Sequence, residues 1–385
     1  MGTLSSVEPE TFERAAQALA ELTAAGRSAR ISGAGTKRWG SPGSDAAVPV
    51  RTGGLNRILA HDPGDMTATL QAGVPLAEAQ ERFAACDQQL ALDPPTADPG
   101  GDSTRSATIG GIVATADCGP LAHRYGGPRD LVVGMTVALA DGTIARSGGT
   151  VIKNVAGYDV AKLFCGSFGT LGLILSVNVR LHPRLPTTTA VGRTGDPGRL
   201  CTAARALAAM PAELEALDLA WEGGAGRLLA RCAGPQAGAR AQRIAAAMVD
   251  EGLHDVATDG EDEPLWERQR AGQRSAAGAV LRVAADPSTT VEVIAAAESA
   301  DGSLVARAAL GHFHLTVPPA QAAAVRSRLP EGAVSVLHDC PPAARQQIDD
   351  PWGVTPAGAL GLMRALKARF DPSGTCNPGT FVGGI

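Results

Sequence analysis

The chain has 385 residues, is 44% hydrophobic and 19% charged, and carries a formal net charge of -5 at pH 7. That length accommodates two domains, the second inserted in or following the first. Charges of both signs are mixed along the chain and aromatic residues make up only 3%, which argues against nucleic acid as a partner; no apolar run approaches the ~20 residues of a membrane span.

Glu8, Glu10 and Glu13 give the N-terminus an acidic start, unlike that of a secretory signal. The seven cysteines, at 86, 118, 165, 201, 232, 340 and 376, are odd in number and never spaced C-x-x-C. Neither a disulfide framework nor an iron–sulfur, zinc or other metal site is indicated. Reduced thiols point to a cytoplasmic protein.

Residues 8–25 read as a helix with Phe12, Ala15, Ala16, Leu19 and Leu22 on one face and Gly26 at its end. A strand over 29–32 runs into Gly33-Ala34-Gly35-Thr36-Lys37. This glycine loop is either an anion-binding nest or a structural turn; it is neither a Walker loop nor a good Rossmann fingerprint. A strand over 66–72 ends at Gly73, and Pro75 opens a helix carrying Leu76, Ala79 and Phe83. After Pro94-Pro95 comes Thr108-Ile109-Gly110-Gly111-Ile112-Val113-Ala114-Thr115. Taken alone, its paired glycines fit a tight turn or backbone lying against a flat ligand. Residues 131–140 read as a buried strand that turns at Asp141-Gly142 into 143–145. A third glycine-rich run, from 157 to 172, precedes a strand over 173–181.

From 187 onward the order changes to strand 187–191, helix 198–209, strands 214–221 and 227–232, helix 236–250 and a strand near 253–258. A second such run follows: strand 280–284, helix 288–299, strands 303–306 and 313–317, helix 319–328, strand 334–337. The β-α-β-β-α-β order, met twice, predicts two ferredoxin-like halves sharing one antiparallel sheet. A last helix spans 355–369.

Six elements in order, SGAGTK at 32–37, PP at 94–95, TIGGIVAT at 108–115, YGGPRDLVVGMTVALADG at 125–142, KNVAGYDVAKLFCGSFGTLGLI at 153–174 and FDPSGTCNPG at 370–379, resemble the FAD-binding domain of the vanillyl-alcohol oxidase / p-cresol methylhydroxylase superfamily. Within it the chain is most similar to the E subunits of bacterial glycolate oxidases. The resemblance covers 1–185 and 355–385 and is thinner between. It implies an α+β fold: a two-subdomain FAD-binding domain at 1–186, an α+β cap at 187–354 with an antiparallel sheet of two ferredoxin-like halves, and a tail at 355–385 returning to the first domain.

The same resemblance implies roles. The first loop (Gly33, Ala34, Gly35, Thr36, Lys37) covers the FAD pyrophosphate. Thr108, Ile109, Gly110, Gly111, Ala114 and Thr115 wrap pyrophosphate and flavin. Gly172 and Ile174 hold the adenine end through main-chain groups. Pro94 and Gly119 belong to the same cofactor set, and Asp130 either contacts the cofactor or pairs with Arg129. Relatives with covalent flavin carry His or Cys near the first loop or near TIGG. No His lies in 31–41, and Cys118 and His123 lie beyond TIGG, so dissociable FAD is expected. Arg270, Arg274 and Arg282 are candidates for holding a substrate carboxylate, against solvated helix and strand positions as the plain alternative. His312 and His314 share a strand face, where they could hold a metal or act as a base, with a structural role as the plain alternative; His338-Asp339 is a weaker base pair, and Asn377 belongs to the flavin's surroundings. The implied function is oxidation of a small, glycolate-like 2-hydroxy acid in the cytoplasm, with peripheral attachment to the inner membrane through partner subunits as a variant. Electrons would pass to an iron–sulfur subunit in a complex that also holds a homologous flavin subunit. The rival function is a non-catalytic FAD-carrying relay or structural subunit, favoured by the missing His/Asp/Asn cluster of the catalytic D subunits.

Overall fold

The computed structural model describes residues 6–37, 39, 41, 43–44, 46–97, 106–150, 158–345, 348 and 350–385. Lys153–Gly157 of the third glycine-rich motif lie outside them.

Helix α1 (Phe12–Ala24) starts where the Thr11 hydroxyl accepts from Arg14 N at 3.1 Å, and it buries Ala15, Leu19 and Leu22. Strand β1 (Ala29–Ser32) pairs in parallel with β2 (Val48–Arg51). Strands β3 (Ile58–Asp62) and β4 (Thr67–Gln71) precede helix α2 (Leu76–Ala84) and the short helix α3 (Ile109–Thr115). Strands β5 (Val132–Ala138), β6 (Ile144–Gly148) and β7 (Leu173–Arg180) complete a five-stranded antiparallel sheet of order β3-β4-β7-β5-β6. The β5–β6 turn closes through Gly142 at φ +87°, a conformation that favours glycine. One core, with Leu70, Phe83, Ile112 and Val177, holds α2 and α3 to this sheet; a second, with Leu19, Leu22, Val50 and Leu175, holds α1.

The second sheet has eight antiparallel strands. The first half runs β8 (Thr187–Thr194), α4 (Pro197–Ala209), β9 (Leu214–Glu222), β10 (Ala225–Ala233), α5 (Ala237–Asp250) and β11 (His254–Asp259). Helix α6 (Glu263–Ala271) links it to the second half: β12 (Ala279–Ala284), α7 (Thr290–Glu298), β13 (Ser303–Arg307), β14 (His312–Val317), α8 (Ala322–Arg326) and β15 (Val334–Leu337). The sheet order is β11-β8-β10-β9-β13-β14-β12-β15. Two β-α-β-β-α-β units therefore meet at β9–β13, as their sequence order predicts. The terminal helix α9 (Ala357–Phe370) packs Leu366 and Phe370 onto the first domain's core.

Strand alternation gives this sheet two chemically different faces. Leu219, Leu228, Leu281, Phe313 and Leu315 point into one core with residues of α4, α5, α7 and α8. The residues between them, Asp218, Arg231, Arg282, Arg307, His312 and His314, occupy the opposite face. Arg307 on that face reaches across to donate to the main-chain carbonyls of Cys118 and Gly119 in the first domain.

Candidate functional site: a glycine-lined cleft beside a buried cationic face

The two glycine loops converge. Thr108 caps α3, its hydroxyl accepting from Gly111 N at 3.3 Å, and Ala116 ends the helix at φ +51°. A Cβ on Gly110 would lie 2.6 Å from the Ala72 Cβ, and one on Gly33 would strike the Thr108 hydroxyl. Glycine at these two positions lets helix, strand and loop approach one another. The result is a cleft of about 810 Å³, counting its open mouth. It is lined by Gly33, Ala34, Gly35, Thr36, Lys37, Thr108, Gly110, Gly111, Ala114, Thr115, Gly172, Ile174 and Asn377 from the expected set. Trp39, Thr52, Phe168 and Thr380 also line it, and sequence reasoning missed them.

Four expected cofactor residues lie elsewhere. Ile109 is buried in the core against the five-stranded sheet. Asp130 accepts from Gly127 N at 2.9 Å and so braces its own turn. Gly119 packs against Asp93, and Pro94 lines a separate, larger cleft of about 2760 Å³, likewise counting its open mouth, between the domains.

The donor set suits a dinucleotide. The N–H groups of Ala34, Gly35 and Thr36 make no hydrogen bond among the described residues. Trp39 Nε1 and Thr52 Oγ1 are buried polar atoms without a partner among the described residues, and both belong to cleft-lining residues. Free main-chain donors in a glycine loop form an anion-binding concavity, and buried orphan donors call for a polar ligand. Asn377 holds the tail beside the cleft: its Oδ1 accepts from Ile31 N at 2.5 Å, and its Nδ2 donates to Ile31 O at 3.2 Å and Phe168 O at 2.7 Å. Lys37 turns its ammonium into a buried ion pair with Asp117 and donates to Pro95 O at 3.3 Å.

Beyond Trp39 lies the polar face of the eight-stranded sheet. The Trp39 ring stacks on His338 at 3.8 Å and 7°, and His338 lies 5.7 Å from His314. Arg282 sits opposite His314 in the β12–β14 register. It is half-buried and makes no hydrogen bond or ion pair among the described residues. No hydrogen bond engages either the His314 or the His338 imidazole there, and His312 Nδ1 is buried without a partner. Burial first, and then nearby arginines, holds His314 and His338 well below the usual histidine range and pushes His312 down to about 4. All three are neutral at neutral pH.

The other two candidate arginines are engaged. Arg274 binds Asp339 through two nitrogens, at 2.5 and 3.1 Å, and donates to Thr36 O at 2.8 Å. Arg270 pairs with Glu263 and stands 3.9 Å from Asp93, lining the larger cleft. Behind the Cys118–Gly119 loop, Arg307 also accompanies two buried acids. Burial raises Asp93 and Asp218 to about 7 each, against the lowering pull of Arg270 on the first and Arg307 on both. Among the described residues Asp93 Oδ2, Asp218 Oδ1 and Gln269 Oε1 have no hydrogen-bond partner.

Cradle and donors together define a dinucleotide-binding domain. Residues 4–148 match the family described as "FAD binding domain". The first domain is an FAD-binding domain of the p-cresol methylhydroxylase type, and FAD is its cofactor.

Similar proteins include Glycolate oxidase subunit GlcD of Bacillus subtilis, 40% identical over 133 residues (34% of this chain and 27% of that one). Glycolate oxidase subunit GlcE of Escherichia coli is 33% identical over 155 residues (40% and 42%). D-lactate dehydrogenase of Archaeoglobus fulgidus is 35% identical over 160 residues (40% and 34%). The matches thus span well under half of these relatives' own lengths. A solved alkyldihydroxyacetonephosphate synthase shares the fold over 97% of this chain and 75% of its own, with a TM-score of 0.66 at 13% identity. Among the described residues no helix is long and apolar enough to cross a membrane.

Proposed function

We propose that this chain is an FAD-dependent oxidoreductase subunit that oxidises a small 2-hydroxy acid of the glycolate or lactate type. Residues 1–186 would form its FAD-binding domain, 187–354 its substrate-facing cap and 355–385 the returning tail. The observation that carries the reading is Arg282, a half-buried guanidinium unpartnered among the described residues, set among uncharged imidazoles next to the FAD cleft. Arg282 is half-buried, so part of its charge is out of water and a ligand that supplies a counterion stabilises it; a carboxylate matches guanidinium in charge and shape. Names of the similar proteins, glycolate oxidase subunits and D-lactate dehydrogenase, support the substrate class.

FAD, bound without a covalent link, supplies the two-electron sink. The protein's part is to position and to move a proton. Arg282 would hold the carboxylate. His314, neutral because it is buried beside Arg282 and Arg307, would take the hydroxyl proton. Asn377 would keep the tail seated beside the cofactor. Arg270, tied to Glu263 in the other cleft, is the weakest of the catalytic candidates. The seven cysteines are all free and dispersed, and among the described residues no His, Cys, Asp and Glu side chains gather as a metal-binding group. Electrons would therefore leave to a partner, for which an iron–sulfur subunit associated with a homologous flavin subunit is the proposal. The free thiols suit a cytoplasmic setting.

A second reading, an FAD-carrying relay or structural subunit, is favoured by one observation: Trp39 lies flat on His338, where a substrate would approach. The two readings separate in one experiment. The FAD-loaded chain is mixed with glycolate or D-lactate without oxygen and its absorbance followed. Bleaching of the flavin band supports the catalytic reading and defeats the relay. FAD that stays oxidised with every hydroxy acid in a panel defeats the catalytic one.

A further inference from the structure

Two buried arginines of the second domain reach into the FAD-binding domain, and both end on main-chain carbonyls. Arg274 follows α6; besides Asp339 it holds Thr36 O, at 2.8 Å. Arg307 ends β13; its Nε donates to Gly119 O at 2.8 Å, and its Nη2 to Cys118 O and, at 3.0 Å, to Gln273 Oε1. Gln273 and Arg274 are neighbours in the chain, so the two arginines are braced as one unit. Gly272 allows the close approach, because a Cβ there would lie 2.6 Å from Val305 Cγ1 of β13.

These contacts converge on one peptide. Thr36 O is held directly by Arg274. Cys118 and Gly119 belong to the loop that leaves α3, and Asp117 of that loop pairs with the Lys37 ammonium. The peptide joining Thr36 to Lys37 is therefore fixed twice, at its oxygen and through the Lys37 side chain. In a planar trans peptide the carbonyl and the N–H point in opposite directions. Drawing Thr36 O toward Arg274 turns the Lys37 N–H away from that arginine. This N–H, like those of Ala34, Gly35 and Thr36, makes no hydrogen bond among the described residues, and all four residues line the FAD cleft. Because Asp117 engages the Lys37 ammonium, main-chain donors are what the loop offers an anion.

We propose that Arg274 and Arg307 are positioning residues for the cofactor: from the second domain they preset the Thr36–Lys37 peptide, so that the glycine loop's N–H groups serve the FAD phosphates. Only FAD is required for this role; the hydroxy acid does not enter it. Donors ordered in advance raise affinity, since binding need not order them. The effect is reciprocal: bound FAD in turn holds the second domain's arginines in place.

The full-length chain is titrated with FAD beside Arg307→Gln and Arg274→Ala/Asp339→Ala, the second of which removes the ion pair whole and strands no buried charge. FAD affinity is expected to fall about tenfold or more in each, the worth of one charge-assisted hydrogen bond. Tyr125→Phe is the control: it removes another contact between the domains, the 3.0 Å bond from the Tyr125 hydroxyl to Glu215, and touches neither loop. It is expected to keep FAD affinity within about twofold of the parent. A merely structural role predicts an equal loss in all three; that result overturns the assignment, and parent affinity in either arginine variant overturns it for that arginine. Should a variant fail to fold, hydrogen exchange on the parent decides. FAD is expected to slow exchange about tenfold in segments 272–284 and 303–310, and to leave 237–259, toward the far edge of the sheet, near its original rate. Equal slowing of all these segments, or of none, refutes the positioning role.

Discussion

Replacing Asp218 by Asn should change how stability depends on pH. Asp218 is 1% exposed on the polar face of β9. Its Oδ2 accepts from Gln269 Nε2 at 3.1 Å, while Oδ1 and Gln269 Oε1 both lack a partner. Two orphaned acceptors in one buried cluster are what a carboxyl proton relieves. Burial, with Asp93 adding to it, raises the group from 3.8 to about 7 against the pull of Arg307 and Gln269. Because the folded value lies above the unfolded one, the stabilisation is complete below the unfolded value and is lost as pH rises through about 7. One pK unit corresponds to about 1.4 kcal/mol. Between about pH 5 and about pH 8 the parent should therefore lose roughly 2–3 kcal/mol through this group. Asp93 titrates with it, so the loss belongs to the pair. Asp218→Asn removes the titration and brings an amide donor for Gln269 Oε1. Urea unfolding, followed by the fluorescence of buried Trp221 and Trp266 in the cap, should show at least half of that slope removed. The variant should equal or exceed the parent at the higher pH. If Asp218→Asn instead loses the same stability at both pH values, the ionised carboxylate paired with Arg307 is the working form and the reasoning fails.

Gly110→Ala should destabilise the first domain by about 1–3 kcal/mol and weaken FAD binding, since the new methyl must displace Ala72; thermal unfolding and an FAD titration check both. Arg274→Ala strands the buried Asp339 carboxylate, at a cost of about 3–5 kcal/mol, and Arg274→Ala/Asp339→Ala should cost less than the two single changes summed, measured as a double-mutant cycle. Asn377→Ala removes three hydrogen bonds between the tail, β1 and Phe168; FAD affinity should fall about tenfold with little change in global unfolding, as read by flavin fluorescence.

Much of the fold was legible because it is written in local patterns. Phe12, Leu19 and Leu22 recur at helical spacing, Asp141-Gly142 marks a hairpin, and the doubled β-α-β-β-α-β order predicted the shared sheet. The two short strands β2 and β3 escaped notice. Val48–Arg51 holds a proline and is completed by pairing with β1, and Ile58–Asp62 has a mostly exposed, non-alternating pattern. The glycine cradle was legible as well, since glycine at close backbone contacts leaves a compositional trace. The site's side chains were harder to find. Trp39 follows a loop with no periodicity, and only its rarity, one of four tryptophans, singles it out. Arg307 lies one residue beyond the strand drawn from its apolar run. Its partners, the carbonyls of Cys118 and Gly119, are far away in the chain, and main-chain acceptors leave no mark in a sequence. The states of Arg274 and Arg282, one held by Asp339 and the other free, follow from tertiary packing alone, for each is an arginine near apolar residues when read along the chain.

The seam between β9 and β13 has a consequence for how this protein meets others. Either half alone would leave one of those strands with an open row of main-chain donors and acceptors, a template for adding a foreign strand. Joining the halves closes both rows and leaves β11 and β15 at the margins. Strand β11 carries Asp255 and Asp259 on a largely exposed run, and β15 has four residues, with Leu337 N already donating to Pro351 O at 2.7 Å. Short, charged or occupied margins disfavour growth of the sheet. A subunit that docks on this domain must then recognise side chains and surface shape, and association of the kind that ends in fibres is suppressed by the same architecture.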